Sequence, residues 1–166
     1  MDQLIHPTYA SIFEKELLDE IEQTAVLKKI PQDTTLIEIG DYVKSMPLIL
    51  SGAIKVLRVD DNGDELLLYF LEPGDTCAMT MSCCLGHTKS EIKAVAELDT
   101  ELLMIPVQKM EEWTATYKSW RNFVFQSYHN RLQELLNTVD TIAFLNMDER
   151  LLKYLNEKVK VSGDTT

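Results

Sequence analysis

Hydrophobic and polar residues follow one another along the chain in three blocks. Residues 7–29 place apolar side chains at three- and four-residue steps, which predicts an amphipathic helix that ends before Pro31. From there to Pro106, short apolar or β-branched runs alternate with Gly, Pro and Asp, a pattern typical of strands joined by turns. After Pro106 the helical period returns. The chain therefore combines a helical start, a β-rich centre and a helical end.

The central block divides into six predicted strands. They cover residues 34–39, 46–50, 53–59, 65–71, 92–96 and 101–105. The step Asp60-Asp61-Asn62-Gly63 is typical of a hairpin, because Asn-Gly tolerates the positive φ of a type I′ turn. Strands at this spacing with glycine turns predict an antiparallel barrel or jelly roll.

The last block predicts helices over residues 107–116, 117–145 and 147–159. A helix of about 40 Å, as the second would be at 1.5 Å per residue, overshoots a small jelly roll and needs another partner. Part of it is expected to pack on its own barrel. The rest is expected to pair with the same helix of a second subunit. The predicted dimer interface comprises Val124, Tyr128, Leu132, Leu135, Val139 and Ile142.

Length, net charge and the absence of long apolar runs limit the classes of protein to which the chain can belong. With 166 residues the natural expectation is one domain, or one domain with an appendage. The net charge of −11 argues against nucleic-acid binding by this chain itself, because phosphate contacts need a Lys/Arg face. No apolar run approaches the ~18 residues of a spanning helix, and the N-terminus lacks the basic and apolar regions of a signal peptide. A cytoplasmic protein without a membrane partner is expected.

The histidines argue against an enzyme. A cupin-like metalloenzyme needs several histidines and a carboxylate facing one cavity. His6, His87 and His129 instead fall on three different predicted elements. The sequence also contains no Gly-rich phosphate loop and no recognisable catalytic triad.

Four turn glycines carry a resemblance to a known family. Gly40, Gly52, Gly63 and Gly74 are spaced by 12, 11 and 11 residues, each within a recognisable turn, and Ala143-Phe144-Leu145 ends the long helix. This ordered set resembles the cyclic-nucleotide-binding domain of the Crp/Fnr family of bacterial transcription regulators. The resemblance implies a mainly β, α+β fold: an antiparallel β-roll (double-stranded β-helix, or cupin-like jelly roll) flanked by an N-terminal helix and a long C-terminal dimerisation helix.

The resemblance also implies a division of the chain. Residues 1–116 would be the sensor roll, residues 117–145 the dimerisation helix, and residues 146–166 the start of a truncated winged helix-turn-helix domain. The expected partners are a second copy of the chain, DNA through the missing C-terminal domain, and RNA polymerase for the full-length regulator. The chain is expected to be a truncated or natural sensor-only form of such a regulator.

The effector pocket departs from the family pattern. That pattern has a Gly-Glu-Leu turn, an Arg-Ser pair about ten residues later, and, in cAMP-binding members, a Thr-Ser pair on the long helix. The corresponding residues here are Ala78, Met79 and Thr80, then Lys89 and Ser90, then Leu135 and Leu136. Met79 cannot accept a hydrogen bond from a ribose hydroxyl, and Lys89 lacks the bidentate fork of Arg. We therefore predict a degenerate phosphate cassette and an effector other than cAMP. Another small anion near residues 76–80, or a dry pocket with no ligand, both stay open, and no cofactor is identified.

The cysteines lie together on the same segment. Cys77, Cys83 and Cys84 are followed by His87. Clustered cysteines in a cytoplasmic protein can form a redox or metal site, whereas buried cysteines also serve simply as small hydrophobic residues. The alternative function is thus a cyclic-nucleotide-type module with a thiol redox or metal-sensing role and another output.

Overall fold

Two antiparallel sheets and six helices account for residues 7–144 and 147–163, the part of the protein that the computed structural model describes. The helices are α1 (Pro7–Ile12), α2 (Lys15–Thr24), α3 (Ala78–Gly86), α4 (Val107–Thr116), α5 (Lys118–Phe144) and α6 (Met147–Ser162). The strands are β1 (Val26–Ile30), β2 (Thr35–Ile37), β3 (Ser45–Ser51), β4 (Ile54–Val59), β5 (Glu65–Leu71), β6 (Lys93–Ala96) and β7 (Thr100–Pro106).

The sheets face each other across the interior of a β-roll. One has the strand order β1-β7-β3 and the other β2-β6-β4-β5, with antiparallel neighbours throughout. Ile49 and Leu102 from the first sheet pack with Val56 and Tyr69 from the second in one buried cluster. The antiparallel roll predicted from the strand spacing is confirmed.

The other side of the first sheet carries the helices. Because side chains alternate along a strand, Leu48 of β3 points away from the roll interior, opposite to Ile49. It joins a second buried cluster with residues of α1 to α5. The aromatic members of this second cluster are Tyr9, Phe13, Trp113, Trp120 and Phe123. The first sheet is therefore the middle layer between the second sheet and the helical cluster that α1 to α5 form.

All four predicted turn glycines have a positive φ, between 83° and 96°. Gly52 is required for two reasons: its φ is positive, and a Cβ there would collide with the carbonyl oxygen of Asp99. The predicted hairpin after β4 is confirmed, but its turn is not type I′, since Gly63 has a positive φ and Asn62 does not. Instead the Asp60 carboxylate accepts backbone N–H bonds from Asn62 and Asp64, which fixes the loop.

The N-terminal helix prediction was too long. The helical segment is interrupted at Glu14, whose backbone is extended, and ends at Thr24. Residues 26–29, predicted as helix, belong instead to edge strand β1, which pairs with β7. The apolar period already stopped at Ala25, so sheet pairing determined the structure of the segment that follows.

Predicted and observed bounds agree closely after Pro106. The helix over 107–116 is confirmed, and the long helix covers Lys118–Phe144, with Leu145 outside the described residues. The last helix is three residues longer than predicted and ends at Ser162. Helix α3 was not predicted. No helix among the described residues is long and apolar enough to cross a bilayer.

Candidate functional site

The first turn of α3 stands where a phosphate cassette was predicted. Ala78 and Thr80 are buried, and Met79 is half-buried against the cluster inside the roll. The Thr80 hydroxyl oxygen has no hydrogen-bond partner within residues 7–144 and 147–163. Apolar packing therefore occupies the side of the turn that faces the roll interior.

Lys89 and Ser90 lie in different surroundings. Lys89 is exposed, with its Nζ 5.6 Å from the ring centroid of Tyr42. Ser90 is buried, and its Oγ donates to the carbonyl of Ile92 (2.9 Å) and accepts from the Ile92 N–H (3.2 Å). The cation thus lies on the surface, and the hydroxyl is already engaged in a local turn.

Leu135 and Leu136 lie on the second half of α5 with 43% and 49% of their surface exposed. The structure therefore gives the residues predicted for one pocket three separate environments: the roll interior for Met79, the surface beside Tyr42 for Lys89, and an exposed helix face for the two leucines.

The three thiols are free and buried. Cys77 Sγ lies 3.8 Å from the Tyr69 hydroxyl, Cys83 Sγ 3.6 Å from the Lys89 carbonyl oxygen, and Cys84 Sγ 3.1 Å from the Val43 carbonyl oxygen. Burial raises the pKa of Cys84 to about 11, so this thiol is protonated at neutral pH.

His87 caps the C-terminal end of α3 in the left-handed conformation, with φ 51°, and is exposed. No three His, Cys, Asp or Glu side chains in the described part of the chain are grouped so as to hold a metal ion.

A charged cluster that the sequence analysis did not identify joins α5 to the roll. Trp120, Phe123, Ser127 and Arg131 form the buried face of α5, and Arg131 is only 7% exposed. Its guanidinium lies 4.4 Å from the ring centroid of Tyr69 on β5. It pairs with Glu134 at 2.5 Å and with Asp75 at 3.6 Å.

Both carboxyl groups of the cluster, Glu134 and Asp75, have a raised pKa. Burial raises the pKa of Glu134 to about 6, and Arg131 opposes that shift only in part. Burial raises the pKa of Asp75 as well. The only sign of this cluster in the sequence was the position of Arg131, which lies at helical spacing from the aromatic residues Trp120 and Phe123.

A cleft of about 970 Å³ lies beside this cluster, between β4 and β5, the second half of α5, and α6. Its walls contain side chains of both signs, among them Lys55, Glu97, Glu134 and Lys158. This balance of charges does not select an anionic or a cationic ligand.

The predicted dimer-interface residues divide into two groups. Val124 packs on the helical core, and the Tyr128 hydroxyl lies 2.8 Å from the Ser82 hydroxyl of the same chain. The other four are all exposed: Leu132, Leu135, Val139 and Ile142. An exposed stripe of aliphatic side chains is typical of an interaction surface.

The fold and the site together define a β-roll module of the cyclic-nucleotide-binding type, continuous with a long helix. Residues 27–117 match the family model of the cyclic nucleotide-binding domain, and the chain belongs to that family.

Similar proteins are transcription regulators. The chain is 24% identical over 131 residues to the global nitrogen regulator of Synechocystis sp., covering 78% of this chain and 58% of the relative. It is 25% identical over 136 residues to the cAMP-activated global transcriptional regulator CRP of Pasteurella multocida, covering 81% and 64%. The chain thus spans less than two thirds of either relative.

A solved structure has the same architecture. The crystal structure of a transcriptional regulator of the Crp/Fnr family from Eubacterium rectale superposes with a TM-score of 0.80 at 21% identity, covering 95% of this chain and 72% of that one. The fold predicted from the turn glycines is therefore confirmed.

Proposed function

We propose that the chain is the sensor and dimerisation portion of a cytoplasmic Crp/Fnr-type DNA-binding transcription regulator, without enzymatic activity, whose effector is not cAMP. The observation that carries the proposal is a cyclic-nucleotide-type roll continuous with a 27-residue helix whose second half exposes an aliphatic stripe. DNA, and RNA polymerase for the full-length regulator, would be contacted outside this chain.

The surroundings of the cassette residues support an effector other than cAMP. A cyclic nucleotide needs a carboxylate for its ribose hydroxyls and a fixed cation for its phosphate. Here Met79 packs into the roll, Lys89 lies over Tyr42 on the surface, and the Ser90 hydroxyl is bonded to Ile92. Burying the polar edge of a nucleotide against these groups would leave its hydrogen bonds unmade, which is unfavourable.

The proposed mechanism is a population shift. A ligand, an oxidation or a metal at residues 77–90 would change how the roll packs on residues 120–142 of α5. Because that helix would hold the two subunits together, a small change in packing would alter the angle at which two DNA-binding domains are held.

Native mass spectrometry of the chain purified without oxygen, compared with its denatured mass, tests the proposal. We expect a dimer, and addition of cAMP should leave its mass and its thermal midpoint unchanged. A small organic mass retained on the dimer would identify the effector class. A retained iron or zinc mass would favour the alternative, a thiol or metal-sensing module. A monomer, or saturable cAMP binding, would contradict the proposal.

A further inference from the structure

Helix α6 packs with a largely charged side toward the rest of the protein: five of its seven residues that line the cleft are charged, and the other two are Tyr154 and Val161. Leu151, Leu152 and Leu155 are exposed, whereas Lys153 and Lys158 are half-buried and line the cleft beside β5. Amphipathic helices of globular proteins ordinarily bury the apolar stripe. None of the described side chains of α6 is fully buried, whereas the shorter α4 buries Met110 and Trp113.

Polar contacts hold α6 in this position. At its start, Arg150 Nη2 donates to the carbonyl of Ile142 at 2.6 Å. One turn later, Lys153 Nζ donates to the Thr141 hydroxyl, also at 2.6 Å. These two contacts tie α6 to the end of α5.

The contact between α6 and the roll centres on Glu97, which directly follows β6. Its side chain is 10% exposed, and its backbone N–H donates to the carbonyl of Ala53. One carboxylate oxygen lies 3.1 Å from Lys158 Nζ, and the other lies 3.2 Å from Lys55 Nζ of β4. The two ammonium groups hold the pKa of Glu97 below its usual value in spite of its burial. One carboxylate thus connects α6 to two strands of the roll.

We infer that α6 is a releasable strap over the outer face of β4 and β5, and that the Glu97–Lys158 ion pair is its latch. Glu97 is 10% exposed but Lys158 is 44% exposed, so solvent and salt reach the lysine end of the pair and weaken it, whereas salt does not screen buried apolar packing. Neither hydrophobic cluster of the described structure contains a residue of α6, so the helix can leave the roll without opening them. Its release would uncover the floor of the cleft, including Lys55 and Leu57. The inference does not depend on the proposed regulatory function.

Hydrogen exchange of the whole chain tests the latch. In Glu97→Gln and in Lys158→Met, we expect the amides of residues 147–162 to exchange several-fold faster, with β7 unchanged. Raising the salt concentration from about 0.05 M to about 0.5 M shortens the Debye length to below 5 Å and should have the same effect on the unmodified protein. In the two variants this salt effect should be largely lost.

Two matched variants complete the design. Lys160→Met removes a lysine from the same helix, and Glu101→Gln breaks the Lys29–Glu101 pair (2.6 Å) of the other sheet. Neither should change the exchange of α6. Lys158→Met leaves the roll sequence intact, so it keeps the test valid if Glu97→Gln disturbs β6. Unchanged exchange of α6 in Lys158→Met, or an equal increase in Lys160→Met, would overturn the inference.

Discussion

The two halves of α5 are built for different neighbours. Residues 118–131 contribute Trp120, Phe123, Ser127 and Arg131 to the buried surface, with ring centroids of Trp113 and Trp120 5.2 Å apart. Residues 132–144 contribute no buried side chain to the described structure, although seven of these 13 residues are apolar, against five of the 14 in the first half. The first half completes the core of its own chain, and the second half presents its apolar surface outward.

The comparison shows that apolar period and burial are separate properties of a helix. In the sequence, Trp120, Val124 and Tyr128 follow one another at four-residue steps, a spacing that predicts one shared face of the helix. The structure separates two faces, because Phe123, Ser127 and Arg131 face the roll. A period identifies which side chains share a face, but the surface that covers that face is determined by the rest of the fold or by a partner.

Trp120→Ala removes packing from the buried first half of α5 and should cause the largest loss in the free energy of unfolding. Its ring contacts Phe13, Trp113 and Phe123, and removing a fully buried aromatic side chain costs about 3–5 kcal/mol. Urea unfolding followed by circular dichroism, at one fixed protein concentration, measures the loss. Trp120→Phe should cost less, since it keeps most of the packing and removes an indole N–H that has no partner in the described structure. Equal losses for the two variants would show that this packing is not what holds the helix.

Leu135→Asp places a charge in the predicted dimer interface on the exposed second half of α5. A carboxylate in an apolar subunit interface is unfavourable, so we expect a monomer by light scattering, with the roll still folded. Val139→Asp should do the same, because that side chain is 60% exposed on the same stripe. Gln133→Asp introduces the same acid at another exposed position of α5 and should leave the dimer intact. A persistent dimer in Leu135→Asp would refute the predicted interface.

Arg131→Met tests the boundary between the two halves. The methionine keeps apolar bulk but removes the partner of Asp75 and Glu134, and we expect a loss of about 1–3 kcal/mol in the free energy of unfolding. Arg131→Lys should be intermediate, because it restores the charge without the planar stack on Tyr69. As a control, Arg58→Met removes an exposed partner of Glu91 and should change stability by less than about 0.5 kcal/mol.

Local patterns were enough to predict most of the β-roll. The turn glycines and the short apolar runs between them are determined by residues close in sequence, and β2 to β7 match their predicted ranges within about two residues. Strand β1 is the exception, because it falls in a segment predicted as helix. Helix α3 lacked such a signal. Its sequence from Ala78 to Gly86 is almost uniformly apolar or small and five of its residues are buried, so no amphipathic period distinguishes it from a loop or a strand.

The charged cluster could not be predicted for a different reason. Arg131 is 62 residues from Tyr69 and 56 residues from Asp75, and it meets them only because α5 returns across the end of β5. The same holds for the cysteines. The sequence shows that they are clustered, but it does not show that each sulfur lies beside a different hydroxyl or carbonyl group. Sequence reveals residue types and local spacing, whereas a site assembled from distant segments needs the fold.

The smallest expected effect is the change in stability with pH that Glu134 causes, and it tests the boundary between the two halves of α5. Because the pKa of Glu134 is raised from 4.5 to about 6, the folded protein binds a proton more tightly than the unfolded chain between those values. This carboxyl therefore contributes stability below pH 4.5 that is lost as the pH rises through 6, and the contribution changes little above that. Its side chain is 38% exposed, so solvent screening should keep the change below about 1 kcal/mol.

The carbon-13 shift of the Glu134 carboxyl, assigned by its absence in Glu134→Gln, measures that pKa directly. Arg131 lowers the pKa of Glu134, so Arg131→Met should raise it further above 6. An unchanged midpoint in Arg131→Met would mean that burial alone determines the titration of this carboxyl. The guanidinium would then stabilise the junction between α5 and the roll through its packing on Tyr69 rather than through its charge.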